Sequence, residues 1–323
     1  MKTRTWRNVL FTVVIVSCFF LMLEVRQRIR HPHVGFRGMY NSLGFRSQEF
    51  SPKKEPGTTR ILFVGSSTVF GVTGPVEKTF PFLVGKILRD KMPPRRVETI
   101  NAAKPAETSY WEVERIEKTL YLNPDILVVM TGYNDSASIY RDFIRINERG
   151  DLILTPWYLK LDSFMAHHSV FYVTLRERIA ILLHDNPNFA FGGRPLETRV
   201  EESLDKTAWF DYYSRYFRNN LELMVKTASE HNIKFVFIKP PLGIQRRQEH
   251  PLYYKAYLRL MKELVDVASE HHIALIDLDS FFSESKSKEY IGVDGLHFTD
   301  AGNLAIAKAV SDFFLLHEKD YFP

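Results

Sequence analysis

ILFVGSST, residues 61–68, is an inner strand followed by a turn. Four bulky apolar residues run without interruption from Ile61 to Val64 and stop at Gly65-Ser66-Ser67. The run is too short for a helix. Its lack of alternation means burial on both faces, as in a parallel sheet. The glycine and serines are turn chemistry, so Ser66 and Ser67 fall just beyond the carboxyl end of the strand.

The same pattern recurs along the chain. Val97–Ala103, Asp125–Thr131 (DILVVMT), Ile233–Ile238 (IKFVFI) and Ile273–Leu278 (IALIDL) read as further strands. Helical spacing occupies Phe80–Lys91, Ser109–Leu122, Asp211–His231, Tyr253–His271 and Ala301–Leu316. Apolar strands alternating with amphipathic helices predict an α/β chain. The expected fold has three layers, doubly wound, around a central, mostly parallel five-stranded sheet. Ligands of such sheets sit at the carboxyl ends of the strands. Residues 136 to 206 break the rhythm and are rich in aromatics, including Trp157, Tyr158, Phe164, Phe171 and Tyr172. They read as an insertion, a lid or substrate cap; packing as a satellite core is the plainer account of most of those rings. The domain is expected to run from residue 60 to 323 around this insertion.

Upstream lie two other segments. Val9–Leu23 (VLFTVVIVSCFFLML) carries no charge. Lys2, Arg4 and Arg7 precede it; Glu24, Arg26, Arg28 and Arg30 follow. No small-x-small site follows the apolar core, which argues against a cleaved leader. Residues 1–30 are therefore expected to be an uncleaved signal anchor, with the main domain outside the cytoplasm. Residues 31–59 are polar and carry Gly35, Gly38, Gly44, Pro52, Pro56 and Gly57. They read as a tether lying against the domain.

Charge follows the same division. The net charge of +5 resolves into +8 on residues 1–60 and −3 on the remainder. A basic excess next to an apolar run suits anionic lipid headgroups, and no basic stripe suggests nucleic acid. A single cysteine, Cys18, excludes an intramolecular disulfide and a cysteine metal cluster. The adjacent pairs His167-His168 and His271-His272 do not face one metal on a helix. No metal or cofactor is implied.

Four segments fall at predicted strand ends or open the last helix: Gly65-Ser66-Ser67-Thr68, Asn101-Ala102-Ala103, Gly132-Tyr133-Asn134-Asp135 and Asp294-Gly295-Leu296-His297. Each alone has a bland reading as a turn or a helix cap. Together they meet the demand of acyl transfer for a nucleophile, a base, a group orienting that base and donors for the oxyanion. Asp294 and His297, three apart, can touch directly.

ILFVGSST, INAAKPAET, GYND and DGLHFTDAG, in this order, resemble the four blocks of the SGNH/GDSL hydrolases, a match spanning about Arg60 to Leu316. The resemblance implies a flavodoxin-like sheet and ester hydrolysis. It places the nucleophile on Ser67 rather than Ser66, with Asp294 and His297 completing the triad. It implies that the backbone N–H groups of Ser67 and Ala103 and the Asn134 side chain form the oxyanion hole. Ala103 stands where that family has glycine, so a negative φ there is needed for an unstrained donor. Two other readings share these residues: an O-acyltransferase acting on cell-surface glycans, and a non-catalytic glycan- or lipid-binding module. An α/β-hydrolase would need a Gly-x-Ser-x-Gly elbow, which Ser67 lacks. Substrates in view are a small-molecule ester or a glycan or lipid ester.

Overall fold

A computed structural model describes residues 12, 16–26, 39–72, 74–138, 145–146, 152–153, 165, 169, 171–172, 175, 208–282 and 288–322. The chain divides into two compact units, Met1–Met39 with Phe143–Leu196, and Tyr40–Asp142 with Glu197–Pro323.

The second unit holds the sheet. Its strands are β1 (Thr58–Gly65), β2 (Arg96–Asn101), β3 (Ile126–Met130), β4 (Lys234–Lys239) and β5 (Ala274–Asp277). They lie in the order β2-β1-β3-β4-β5, and every pairing is parallel. The order reverses between β1 and β3, which makes their carboxyl ends the switch point of the sheet. Gly65 there lies opposite Met130, and Phe63 opposite Asn101.

The helices that matter here are α1 (Ser67–Phe70), α2 (Phe80–Lys91), α3 (Ser109–Thr119), α4 (Tyr133–Ser138), α5 (Ala208–Glu230), α6 (Pro251–Glu270) and α7 (Asp300–Leu316). α2 packs with α7, while α3, α5 and α6 pack as a second layer. The burial of Phe80, Val84 and Leu88 puts one stripe of α2 onto the sheet, and Pro81 in its first turn suits the missing intrahelical N–H there. Phe63, Phe80, Phe217 and Phe237 are fully buried. Each such side chain contributes roughly 1.5–3 kcal/mol.

β2 ends at Asn101, two residues before the expected Ala103. The reason is local: the Asn101 side-chain oxygen accepts from Ala103 N–H at 3.1 Å and turns the chain out of the ladder. The tether expectation is sharpened by burial. Phe45 and Arg46 are 8% and 4% exposed, so this part of 31–59 is built into the domain.

In the first unit, residues 16–26 are helical. The Glu24 carboxylate accepts from Ser169 Oγ at 2.8 Å and from Phe171 N–H at 2.9 Å. Phe20 meets Phe171 edge-on at 6.0 Å. Ser169 and Phe171 of the inserted segment thus meet the N-terminal helix. Arg145–Ile146 and Leu152–Ile153 form a short antiparallel pair. Among the described residues no helix is long and apolar enough to cross a membrane; positions 9–11 and 13–15 of the expected span lie outside them. Trp157, Tyr158, Phe164, His167, His168 and residues 191–195 also lie outside the described residues.

Candidate active site

Ser67 is the first residue of α1, immediately beyond β1. The corner between them is tight. A Cβ on Gly65 would lie 2.4 Å from Val69 Cγ2 and 2.5 Å from Met130 O, so only glycine fits. Ser66 is the N-cap, extended and only 4% exposed, and its side chain makes no cap hydrogen bond. Ser67 is half-buried. As the first helical residue, its N–H has no intrahelical acceptor.

His297 reaches Ser67 from the far end of the chain. Its Nε2 stands 2.8 Å from Ser67 Oγ, and its Nδ1 contacts Asp294 Oδ2. With the ring proton on Nδ1 and donated to Asp294, Nε2 accepts from the Ser67 hydroxyl. The other oxygen of Asp294 accepts from Leu296 N–H at 3.0 Å and His297 N–H at 3.1 Å. This loop precedes α7 rather than opening it: Thr299 caps that helix, its hydroxyl accepting from Gly302 N–H. Gly295, at φ 70°, gives the loop its reversal, and a Cβ there would sit 2.9 Å from Arg246 N. Gly243 N–H donates to Gly295 O at 3.0 Å, tying the loop to the segment that follows β4.

Burial alone would raise the Asp294 carboxyl. The hydrogen bond and charge of His297, with the two backbone N–H donors, bring it down to about 2. It is therefore an anion at neutral pH, as a partner for imidazolium must be.

Asn134 enters from α4, beyond β3. Its Nδ2 donates to Glu107 O at 2.8 Å, which fixes it against the turn after β2. Asp135, fully buried, accepts from Ser109 N–H at 3.0 Å and Ser109 Oγ at 2.6 Å, pinning the start of α3 to α4. Burial raises its carboxyl to about 6, against the opposing pull of the Ser109 hydrogen bonds.

The backbone N–H expected as a donor at Ala103 is engaged within its own turn. Ala103 is not among the described non-glycine residues with positive φ, so its conformation carries no strain. However, its N–H is taken by Asn101 Oδ1. Ala102 N–H goes to Phe63 O, Lys104 N–H to Gly65 O and Glu107 N–H to Lys104 O. Pro105 has no N–H. Between Ala102 and Glu107, that leaves the N–H of the exposed Ala106 without a hydrogen-bond acceptor among the described residues. Ala106 also has φ 64°, the left-handed conformation that alanine rarely adopts. Nothing in the sequence marks it, because alanine carries no turn signal.

Ser67 and Asn134 thus stand beyond the carboxyl ends of β1 and β3, and Asp294 and His297 in a loop tied to the segment after β4. The profile of the GDSL-like lipase/acylhydrolase family matches residues 63–305. The chain belongs to that family. This GDSL-family domain is similar to several solved structures. One is a lipase/acylhydrolase from Enterococcus faecalis, 19% identical, covering 79% of this chain and 95% of that one with a TM-score of 0.49. Another is an acetyl xylan esterase from Geobacillus stearothermophilus, 15% identical, covering 78% and 92% with a TM-score of 0.48. A third is the esterase EstA from Pseudoalteromonas sp., 14% identical, covering 79% and 95% with a TM-score of 0.46. No curated protein matches the sequence. Among the described residues of this GDSL-family chain, no group of three or more His, Cys, Asp or Glu could hold a metal ion; His271 and His272 are exposed just past the end of α6.

Proposed function

We propose that this protein is a membrane-anchored serine hydrolase that cleaves carboxylic esters through Ser67, His297 and Asp294. The carrying observation is the 2.8 Å contact between Ser67 Oγ and His297 Nε2, with Asp294 behind the ring. Ser67 Oγ attacks the carbonyl carbon of the ester while His297 Nε2 takes the hydroxyl proton. Asp294 holds the Nδ1–H and offsets the charge of the imidazolium. The oxyanion is met by the N–H groups of Ser67 and Ala106 and by the Asn134 amide. On collapse the C–O bond to the alcohol breaks, and His297 returns the proton to that oxygen. Water, deprotonated by His297, then frees the acid and restores Ser67.

The substrate is a small ester or an ester carried on a glycan or lipid. The anchor rests on the uncharged run Val9–Leu23, its basic flanks and the exposure of Phe19, Phe20, Leu21 and Met22. The domain from residue 40 onward then lies outside the cytoplasm. Labelling with a fluorophosphonate followed by peptide mapping tests the mechanism. Modification of Ser67 alone, with hydrolysis of p-nitrophenyl acetate, is expected. A label on any other serine, or none, would overturn it.

A further inference from the structure

α1 carries Ser67, yet it has four residues and one turn. A helix that short does not hold itself, because nucleation is unfavourable and its last carbonyls lack intrahelical donors. The hydrogen bonds at its C-terminal end come from elsewhere. Asn101 Nδ2 donates to Val69 O at 2.8 Å. Arg46 Nε donates to Phe70 O at 3.2 Å, and Arg46 Nη2 donates to Gly71 O at 3.1 Å and to Gly74 O. The guanidinium also lies 5.0 Å from the centroid of the Phe70 ring. One buried cation therefore clamps three carbonyls at and just beyond the end of the helix, where positive charge is favoured.

The arm that delivers Arg46 is itself locked. Asn41 Oδ1 accepts from Leu43 N–H at 3.1 Å and Phe45 N–H at 2.9 Å. Asn41 Nδ2 donates to Gln48 O at 3.1 Å. Arg46 N–H donates to Asn101 O at 3.0 Å, and Ser47 Oγ accepts from Asn101 N–H at 2.8 Å. Asn101 thus links three things: the arm, α1 through Val69 O, and the donor turn through Ala103 N–H.

We propose that Arg46 is a positioning residue for Ser67. It belongs to a segment that reads as a mere tether, it touches no reacting atom, and it acts by fixing α1 so that Ser67 Oγ meets His297 Nε2. The arm Asn41–Ser47 is then part of the catalytic framework. The inference rests on Ser67 being the nucleophile.

The test uses the full chain in detergent and compares wild type with Arg46→Lys, Arg46→Ala and the control Val310→Ala, a buried α7 position. Fluorophosphonate labelling rate at Ser67, kcat and KM for p-nitrophenyl acetate, and melting temperature are measured. A displacement of the nucleophile of about 1 Å lowers kcat roughly 100-fold. Arg46→Ala and Arg46→Lys are expected to lower both labelling and kcat by about 10- to 100-fold, with KM little changed. Millimolar guanidinium should restore part of the rate in Arg46→Ala and none in Val310→Ala. Arg46→Lys keeps the charge but not the planar fork, so it decides the matter if Arg46→Ala fails to fold. Wild-type labelling in either folded Arg46 variant overturns the inference, as does a loss matched by Val310→Ala at equal melting temperature. A wild type that hydrolyses esters without labelling at Ser67 overturns the nucleophile assignment instead, and this inference with it.

Discussion

Ser67 Oγ and His297 Nε2 lie within hydrogen-bond distance across 230 residues of sequence. No local contact brings them together. β1 delivers Ser67 through a glycine corner, and the loop before α7 delivers His297 with its Asp294 partner three residues away. Ser66, one position earlier, is buried as the cap of the same helix. Adjacent serines therefore occupy separate environments, and the roles this predicts are testable.

Ser67→Ala is expected to lower kcat on short p-nitrophenyl esters by at least about 10⁴-fold, since triad members act as a unit. Ser66→Ala should stay within a few-fold of wild type. Equal loss in the two variants would show that the register is wrong by one residue.

Asp294→Asn is expected to cost about 10⁴-fold in kcat, because the amide favours the wrong tautomer of His297. Acid conditions test the same group differently. Its folded value, about 2, is below the ordinary 3.8. A depressed carboxyl stabilises the fold above its unfolded value and loses that stabilisation as pH falls from about 4 towards 2. Asp294 is more than a third exposed, so the effect is screened. Urea midpoints of wild type and Asp294→Asn should therefore differ by a constant amount from pH 7 to 4 and converge only below. Convergence already at pH 5 to 6 would count against an ionised Asp294.

The fold was legible because its strands are buried on both faces. ILFVG and DILVVMT announce themselves by unbroken apolar runs, and they became β1 and β3. The meeting of Ser67, Asp294 and His297 and the position of Asn134 were legible because each carries a functional group at a predicted strand end or helix start. The bonds of Arg46 and the backbone conformation of Ala106 were not. Arg46 acts on backbone carbonyls, which have no sequence signature, and an alanine at φ 64° looks like any other alanine.

Ala106 yields its own prediction. Replacing its amide by an ester, with lactate in place of alanine, removes only the N–H. Loss of one oxyanion donor costs about 10²–10³ in kcat, and the same loss is expected from Asn134→Ala. The equivalent exchange at Ala103 removes a bond to Asn101 and should change kcat less than its stability. In addition, Ala106→Gly should raise the melting temperature, since the left-handed conformation costs alanine about 1 kcal/mol or more. A larger kcat loss at Ala103 than at Ala106 would return the donor to Ala103.

Asp135 predicts an opposite pH trend from Asp294. Its folded value, about 6, exceeds the ordinary 3.8, burial being the main cause. A raised carboxyl contributes fully below its unfolded value, and that contribution is lost as pH rises from about 4 to about 6. The neighbouring Glu112, also buried, is pushed up by burial and by the charge of Asp135. Asparagine keeps an acceptor for Ser109 and abolishes the titration. The stability of wild type relative to Asp135→Asn should therefore fall between pH 4 and 6. Parallel curves across that window would remove Asp135 as the source.

Truncations separate anchor from arm. Residues 1–30 contain the apolar run and its flanks, whereas Ser67, Asn134, Asp294, His297 and their hydrogen-bond partners all lie between residues 40 and 142 or beyond 197. Removing residues 1–30 should give a protein that no longer sediments with membranes and still hydrolyses p-nitrophenyl acetate. Removing residues 1–47 takes away Arg46, Phe45 and the Asn41 turn, and with them the clamp on Phe70 O and Gly71 O. That shorter protein should lose most of its Ser67 labelling. Continued membrane association of the first truncation would refute the anchor. Full labelling of the second would show that α1 holds Ser67 in place unaided.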